Sequence, residues 1–526
     1  MGFGKFGGFS AFASSLNIEN IKQTLPLAPG EVVKFGDVCE VVQGFTRKTK
    51  RAINLTGAVS DAIDRTMTMG VKAYKISETF TLLAYVTSTS AIEVLLIEYN
   101  SDGSIKTPLN TALSISVISS WQHDLFIDKM PNGKYAIFTN GLMSSFVVNV
   151  DLNTKAITMT ASKTAETGTN YGQGNMWVQK VAETASIVKY AAFYRRGAGG
   201  GLLYTIFSID LASNSINSTT PTVFGSTNKR SVAGYKLSKN RYILAATEDL
   251  VLRYNIVDFD PATDTFVNVF GISAIGTANT TGNNFGNYMR ILNYAKNKFL
   301  ILASNYNNNQ GQYYTRAFFV TYDEATTTLS LDAGTTSEAS LPLTGYTNTD
   351  TSYIEPMQLI QVNFNMFMVA GTIGTASAAQ EGTRISVYRL HLKSDGTPDL
   401  ECVASSDYVF TNAIAATPDF VPYGLDKYHF FFGHNVTGQK NIKMANVSAR
   451  GCMPVGVATH DASSGSVTIQ MKGVMKGLDV VCGQSYRANE YGVLSYIEGA
   501  YPIGTAISSD SILIPDLIKS SIIPQD

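Results

Sequence analysis

The chain has 526 residues, with 15% charged side chains, 40 Lys plus Arg against 41 Asp plus Glu, and a net charge of −1. So balanced a chain has no basic field to steer it onto nucleic acid or an acidic membrane, and no apolar run reaches the roughly 18 residues that a spanning helix needs. Its length exceeds one ordinary core, so two or three domains are expected.

Residues 1–26 begin MGFGKFGGFSAFASSL, a Gly-broken stretch unlike a signal peptide, which predicts synthesis in a cytosol. Its Phe3, Phe6, Phe9 and Phe12 cannot form a core alone. LAPGEVVKFGDVCEVVQGFTRK (27–48) then reads as short strands around glycine turns, and residues 27–65 as the first part of a small β-domain with a linker.

From 66 to 450 one layout recurs: an aromatic-led strand, a second strand, and an Asp-bearing polar turn. KNRYILAATEDLVLRYNIVDFDPATDTF (239–266) shows it, with alternation along Leu252, Tyr254 and Ile256 predicting strands with one buried face. The aromatic-led strands begin near Phe80, Tyr135, Lys189, Tyr242, Phe299, Phe367 and Tyr428, about 53 to 68 residues apart. Before most copies lies a further short apolar segment, such as LFIDKM (125–130), MRILNY (289–294) or PMQLIQV (356–362). Three or four strands repeated seven times predict a β-propeller, six or eight blades being the neighbouring counts, because radial repetition hides sheet edges. The repeat carries neither Trp-Asp and Gly-His signatures nor sialidase-type Asp boxes.

Residues 451–514 return to short strands separated by glycine turns, the reading of a small barrel or sandwich. Paired Pro-Val-Gly-Val-Ala (454–458) and Pro-Ile-Gly-Thr-Ala (502–506) occur there, with Asp-Ala-Ser-Ser-Gly (461–465), Gly-Val-Met-Lys-Gly-Leu (473–478) and Gly-Gln-Ser-Tyr (483–486). This stretch resembles a terminal β-module of tailed-bacteriophage virion proteins, found in tail-fibre, tail-tip and head-decoration chains. The piece that usually precedes it stands instead at 27–48, so the propeller is expected to be inserted into a small β-domain built from both chain ends. Cys39, Cys452 and Cys482 would then share that domain.

The resemblance implies a structural virion protein, a tail component for receptor binding or fibre attachment, with head decoration and a propeller-type glycan-degrading enzyme as alternatives. Its partners would be further copies, other virion proteins and a host-surface glycan or protein. The chain-end tail 515–526 adds Leu517, Ile518, Ile522 and Ile523 to the four phenylalanines as assembly residues.

Catalytic signatures are absent from the sequence: no G-x-S-x-G, H-E-x-x-H or phosphate-binding glycine loop. A non-catalytic chain without cofactor or metal is therefore expected. His429 and His434, five apart, read as packing residues. The connections after the aromatic-led strands should emerge on one face, and three read as long loops: 194–204, 305–315 and 371–383. Arg195, Arg196, Tyr306, Asn307, Asn308, Asn309, Tyr313 and Tyr314 are the ligand-binding candidates there, offering aromatic faces and amides.

Overall fold

The computed structural model describes residues 21–35, 38–42, 45–48, 52–57, 59–60, 62–68, 70–88, 91–117, 124–140, 142–166, 176–195, 201–224, 229–248, 251–268, 273–277, 283–295, 297–307, 312–332, 353–363, 366–374, 380–392, 398–411, 414–415, 417–424, 426–435, 442–450, 456–476, 478, 480, 485–488, 494–495, 501–506, 509 and 511–514. Every regular element among them is a β-strand. They divide into two compact units, one of Met1–Ile53, Val362–Asn365 and Ala449–Asp526, the other of Asn54–Gln361 and Met366–Ser448. The fold is a seven-bladed β-propeller inserted into a small β-domain built from both chain ends.

In the small domain, one sheet runs in the order Phe45–Lys48, Val38–Val42, Gly456–Ala458, Ser466–Lys476, Ser511–Ile514, Tyr501–Ala506, Ser485–Ala488 and Leu494–Ser495. Ile21–Pro26 also pairs with Ser466–Lys476, from Pro26 opposite Ser466 to Ile21 opposite Lys472. N-terminal and C-terminal strands thus share one ladder, which brings together segments far apart in the chain. Cys39 is buried with Leu27, Val33, Ala458, Val467 and Ile469, a small apolar side chain among its like. Cys452 and Cys482 lie outside the described residues.

Each blade is an antiparallel meander. Blade one comprises Val71–Lys75, Phe80–Ser88, Ala91–Glu98 and Leu113–Ser116; blade two, Leu125–Lys129, Tyr135–Thr139, Ser144–Asp151 and Ala156–Thr164. Blades three to six begin at Trp177–Glu183, Lys229–Lys236, Asn283–Ala295 and Tyr353–Asn363. Blade seven comprises Asp419–Gly424, Lys427–Asn435 and Ile442–Arg450, and takes a further strand, Val59–Ser60, from ahead of blade one. That pairing draws the start of the propeller unit back to Asn54, where the sequence had suggested residue 66.

The aromatic-led strands are buried on both faces. In blade four, Tyr242, Leu244 and Ala246 pack towards Phe193, Leu202 and Tyr204 of blade three, while Ile243 and Ala245 pack towards Phe299, Ile301 and Phe318 of blade five. The expectation of one buried face is corrected here. Each sheet is wedged between two others, so the strand reads as a continuous apolar run. Matching wedges join blades one and two, two and three, and seven and one.

The polar turn after the third strand has a reason that repeats with it. Asp151, Asp210, Asp260 and Asp323 each accept a backbone N–H from two residues on. Four residues after each, Lys155, Asn214, Asp264 and Thr327 take positive φ, 56°, 62°, 55° and 53°. The Asp side chain replaces the hydrogen bonds that a strained five-residue turn cannot supply from its own backbone.

Close packing makes two positions sensitive. A Cβ on Gly234 would lie 2.5 Å from the Trp177 indole, which itself packs tilted against Phe193 and edge-on against Tyr242. Gly234→Ala should therefore destabilise the chain by about 1–3 kcal/mol in urea unfolding; an unchanged midpoint would show that the indole moves freely. His429 is buried between Tyr423 and Tyr99, its ring 3.9 Å from each. Burial first, and the positive Lys75 next, push its pKa down to about 3. The unfolded chain takes up that proton near pH 6.5 and the folded chain does not, so stability falls as pH drops from about 6.5 towards 3, by up to about 1.4 kcal/mol per pH unit. His429→Phe should flatten that slope in unfolding curves taken across the window.

Candidate functional site

The first strand of each blade is the innermost, with one edge paired and the other turned to the axis. In several blades a polar residue interrupts, or immediately precedes, this otherwise apolar strand. They are Lys72 in blade one, Asp124 just ahead of Leu125–Lys129, Arg290 in blade five, Gln358 in blade six and Asp419 in blade seven.

Three of these groups, Lys72, Gln358 and Asp419, meet one another. Asp419, with 2% of its side chain exposed, accepts from Lys72 Nζ at 3.1 Å and from the backbone N–H of Ala73 at 2.8 Å. Gln358 Nε2 donates to the same carboxylate. Asp124 accepts the backbone N–H groups of Met176 in blade three and of Leu125, each at 3.1 Å. Its own N–H donates to Asn140 Oδ1 at 3.4 Å. Burial raises the pKa of the Asp124 carboxyl above the ordinary carboxylate range, while Arg290 and Lys72 pull it back. Arg290 and Lys72 stand on blades five and one, so a carboxyl of blade two feels charges from both other sectors of the ring.

The arrangement supplies a carboxyl that holds its proton to higher pH, in the field of two cations from other blades, and an ammonium–carboxylate–amide cluster around Asp419. Such a set can donate to and accept from hydroxyl groups, and convergent polar groups with a shifted pKa are the marks of a binding or reaction centre. Among the described residues no three His, Cys, Asp or Glu side chains gather as a metal site.

The candidates read from sequence fall elsewhere. Arg195 ends the strand Ile187–Arg195, opposite Leu202. Tyr306 and Asn307 end Lys298–Asn307, opposite Tyr313 and Gln312, and Tyr314 pairs with Asn305. Segment 305–315 is therefore strand through Asn307 and again from Gln312. Likewise Thr372, Ile373 and Gly374 pair with Thr383, Gly382 and Glu381. The reading of long loops is corrected for 305–315 and 371–383: Tyr and Thr extend the strands, and polar residues at successive positions erase the alternation that would have revealed them. Arg196, Asn308, Asn309, the phenylalanines at 3, 6, 9 and 12, and Leu517, Ile518, Ile522 and Ile523 lie outside the described residues.

No family model and no curated protein matches the chain. Among solved structures it is similar to the BP39L lectin of Burkholderia pseudomallei, at 11% identity over 75% of this chain and 100% of that one, TM-score 0.46. It is also similar to a PL25 ulvan lyase, 10% identical over 80% and 97% of the two chains, TM-score 0.42. An exo-1,5-α-L-arabinanase from a bovine ruminal metagenomic library is 12% identical over 54% and 97%, TM-score 0.28. None of the three is a phage virion protein. Two are enzymes, and this corrects the expectation of a non-catalytic chain.

The Asp419 contacts predict a measurable cost. Asp419→Ala leaves Lys72 and the Ala73 N–H without their acceptor, and breaking a buried pair in this way costs about 3–5 kcal/mol. Asp124→Asn should do the opposite: folding no longer carries the penalty of a buried carboxylate at neutral pH, so stability holds or rises. Urea unfolding of both variants at pH 7 checks the contrast.

Proposed function

We propose that the propeller engages a polysaccharide at its axis, and that the chain-end domain attaches it to the particle of a tailed phage. Asp124 carries the first half. A carboxyl whose charged form is penalised by burial, set among Lys72 and Arg290 and tied to two backbone N–H groups, costs folding energy that packing alone does not require. Saccharide hydroxyls both donate and accept, and a mixed set of carboxyl, amide and cations complements them. The second half rests on the resemblance of residues 451–514 to virion modules and on the shared ladder of Val38–Val42 with Gly456–Ala458.

The test is retention of the full chain on immobilised surface polysaccharides, with released reducing ends and unsaturated uronates measured in the same samples. Asp124→Asn should lower retention at least about tenfold while remaining folded, as loss of one charged hydrogen-bonding group at a buried site does. Turnover that disappears in Asp124→Asn would make the engagement catalytic. No retention on any polysaccharide, or retention untouched by Asp124→Asn, would overturn the axial site. Removal of residues 1–20 should leave a folded chain that fails to enter particles; normal incorporation would place attachment elsewhere.

A further inference from the structure

A second polar cluster lies further along the inner strand of blade two. Asp124, Phe126 and Asp128 are spaced by two, so they share one face, while Leu125 and Ile127 pack on the other towards blade one. The contacts agree: Asp124 accepts the Met176 N–H and Asp128 Oδ2 accepts the Tyr190 hydroxyl at 2.8 Å, both from blade three. Between them the Phe126 ring is half-buried, tilted against Phe138. With a rise of about 3.3 Å per residue, the two carboxyl-bearing positions stand about 13 Å apart along the strand.

Three blades contribute to the surroundings of Asp128. Lys180 Nζ of blade three lies 3.8 Å from the same Oδ2 and 2.7 Å from Glu183 Oε2. Tyr74 of blade one packs edge-on against Tyr135, 5.6 Å between ring centroids. Burial first, and the Asp128 charge next, hold the Tyr74 phenol above its ordinary pKa, so it keeps a proton to donate, while the Lys129 N–H serves its oxygen. Asp128 Oδ1 has no partner among the described residues.

Water reaches this cluster, since the side chains of Asp128 and Lys180 are 24% and 35% exposed. The turns at this end of blades one, two and three are short. Each closes on its own backbone, Ile76 N–H to the Phe80 carbonyl, Met130 to Lys134 and Thr184 to Ile187, at 2.9, 2.8 and 2.9 Å. None of them folds over the cluster.

Charge and hydrogen-bonding capacity restrict the occupant. Lys129 and Lys180 offset Asp128 and Glu183, so no net field selects an ion. What stays open is one strong acceptor, Asp128 Oδ1, and one donor, the Tyr74 hydroxyl. A ligand hydroxyl donates and accepts at once and satisfies both. The carbon face of a sugar ring can cover Phe126 without leaving a polar group dry.

We propose that Asp128 and Tyr74 form a second sugar subsite on the strand that carries Asp124, so that the glycan lies along Asp124, Phe126 and Asp128 as an oligosaccharide longer than one ring. The subsite rests on the polysaccharide reading and adds to it the length of the bound segment.

The experiment partially hydrolyses the surface polysaccharides used above, sizes the fragments from single sugars upward, and titrates the full chain with each fraction by calorimetry. Fragments able to span about 13 Å should bind at least about tenfold more tightly than single sugars, the scale of one further hydrogen bond to a charged group. Asp128→Asn and Tyr74→Phe should each remove that gain with length. Tyr74→Phe keeps the ring on Tyr135, so lost affinity with an unchanged unfolding midpoint reports the hydroxyl itself. No gain with length, or a gain that survives both variants, overturns the subsite and leaves Asp128 to solvent. If binding then still depends on Asp124, only this inference falls; if no fragment of any length binds, the polysaccharide reading falls and the subsite with it.

Discussion

The carboxylate of Asp419 closes the ring. A meander can add blades indefinitely, but the first and last sheets must find each other, and the innermost strands expose an unpaired row of backbone N–H groups at the axis. Asp419 of blade seven takes the N–H of Ala73 in blade one directly and anchors Lys72 beside it, while the Val71 N–H donates to the Thr417 carbonyl at 3.1 Å. The residues so joined are 346 positions apart in the chain. Around this contact, Leu83, Tyr85, Leu95 and Ile97 meet Phe431, Ile442 and Met444 across the joint, and Val59–Ser60 completes the sheet from the other side. Polar closure at the axis and apolar closure in the wedge act on the same pair of blades. Neither alone would fix the register, since the wedge is non-directional and the carboxylate has only two oxygens.

Between the blades, packing is specific where aromatic groups crowd backbone. Gly234 of blade four gives its missing side chain's room to Trp177 of blade three. At the opposite end of the sheets, Asn132 of blade two donates to the Leu211 carbonyl of blade three at 2.8 Å, and Lys189 of blade three reaches Asp264 of blade four at 2.6 Å. Those partners sit in the Asp-led turns, so the turn geometry that repeats within each blade also sets the spacing to the next. Exposed pairs of this kind contribute little energy each. Their effect is on orientation, which the apolar wedges leave loose.

Much of this order is visible in the sequence, and the reason differs from part to part. The second and third strands announce themselves because both of their faces are buried, and the Asp turns because the side chain does the backbone's work within a few residues. Such signals are local. The innermost strands are legible as apolar segments, but Lys72, Arg290 and Gln358 look incidental within them, because their partners belong to other blades. Asp124 reads as one more turn residue until its neighbours are known. The hairpin ends fail for a different reason: around Tyr306 and Tyr313 the side chains are polar or aromatic on both faces, so no period distinguishes ladder from loop. Joining 27–48 to 451–514 across the propeller was possible only through resemblance, since hydropathy gives no hint that Val38 lies opposite Val457.

Asp124 and Asp419 show how one ring treats two similar carboxylates differently. Asp419 has a cation and a backbone donor that belong to the closure, so its hydrogen-bonding needs are met inside the fold. Asp124 is offered backbone N–H groups and the fields of Arg290 and Lys72, and burial outweighs them. A fold under pressure for stability alone would replace Asp124 with an amide or remove it, because the same N–H groups can be satisfied without a charge. A group that costs stability in the fold, yet stands where the blades converge, is better explained by what it meets from outside.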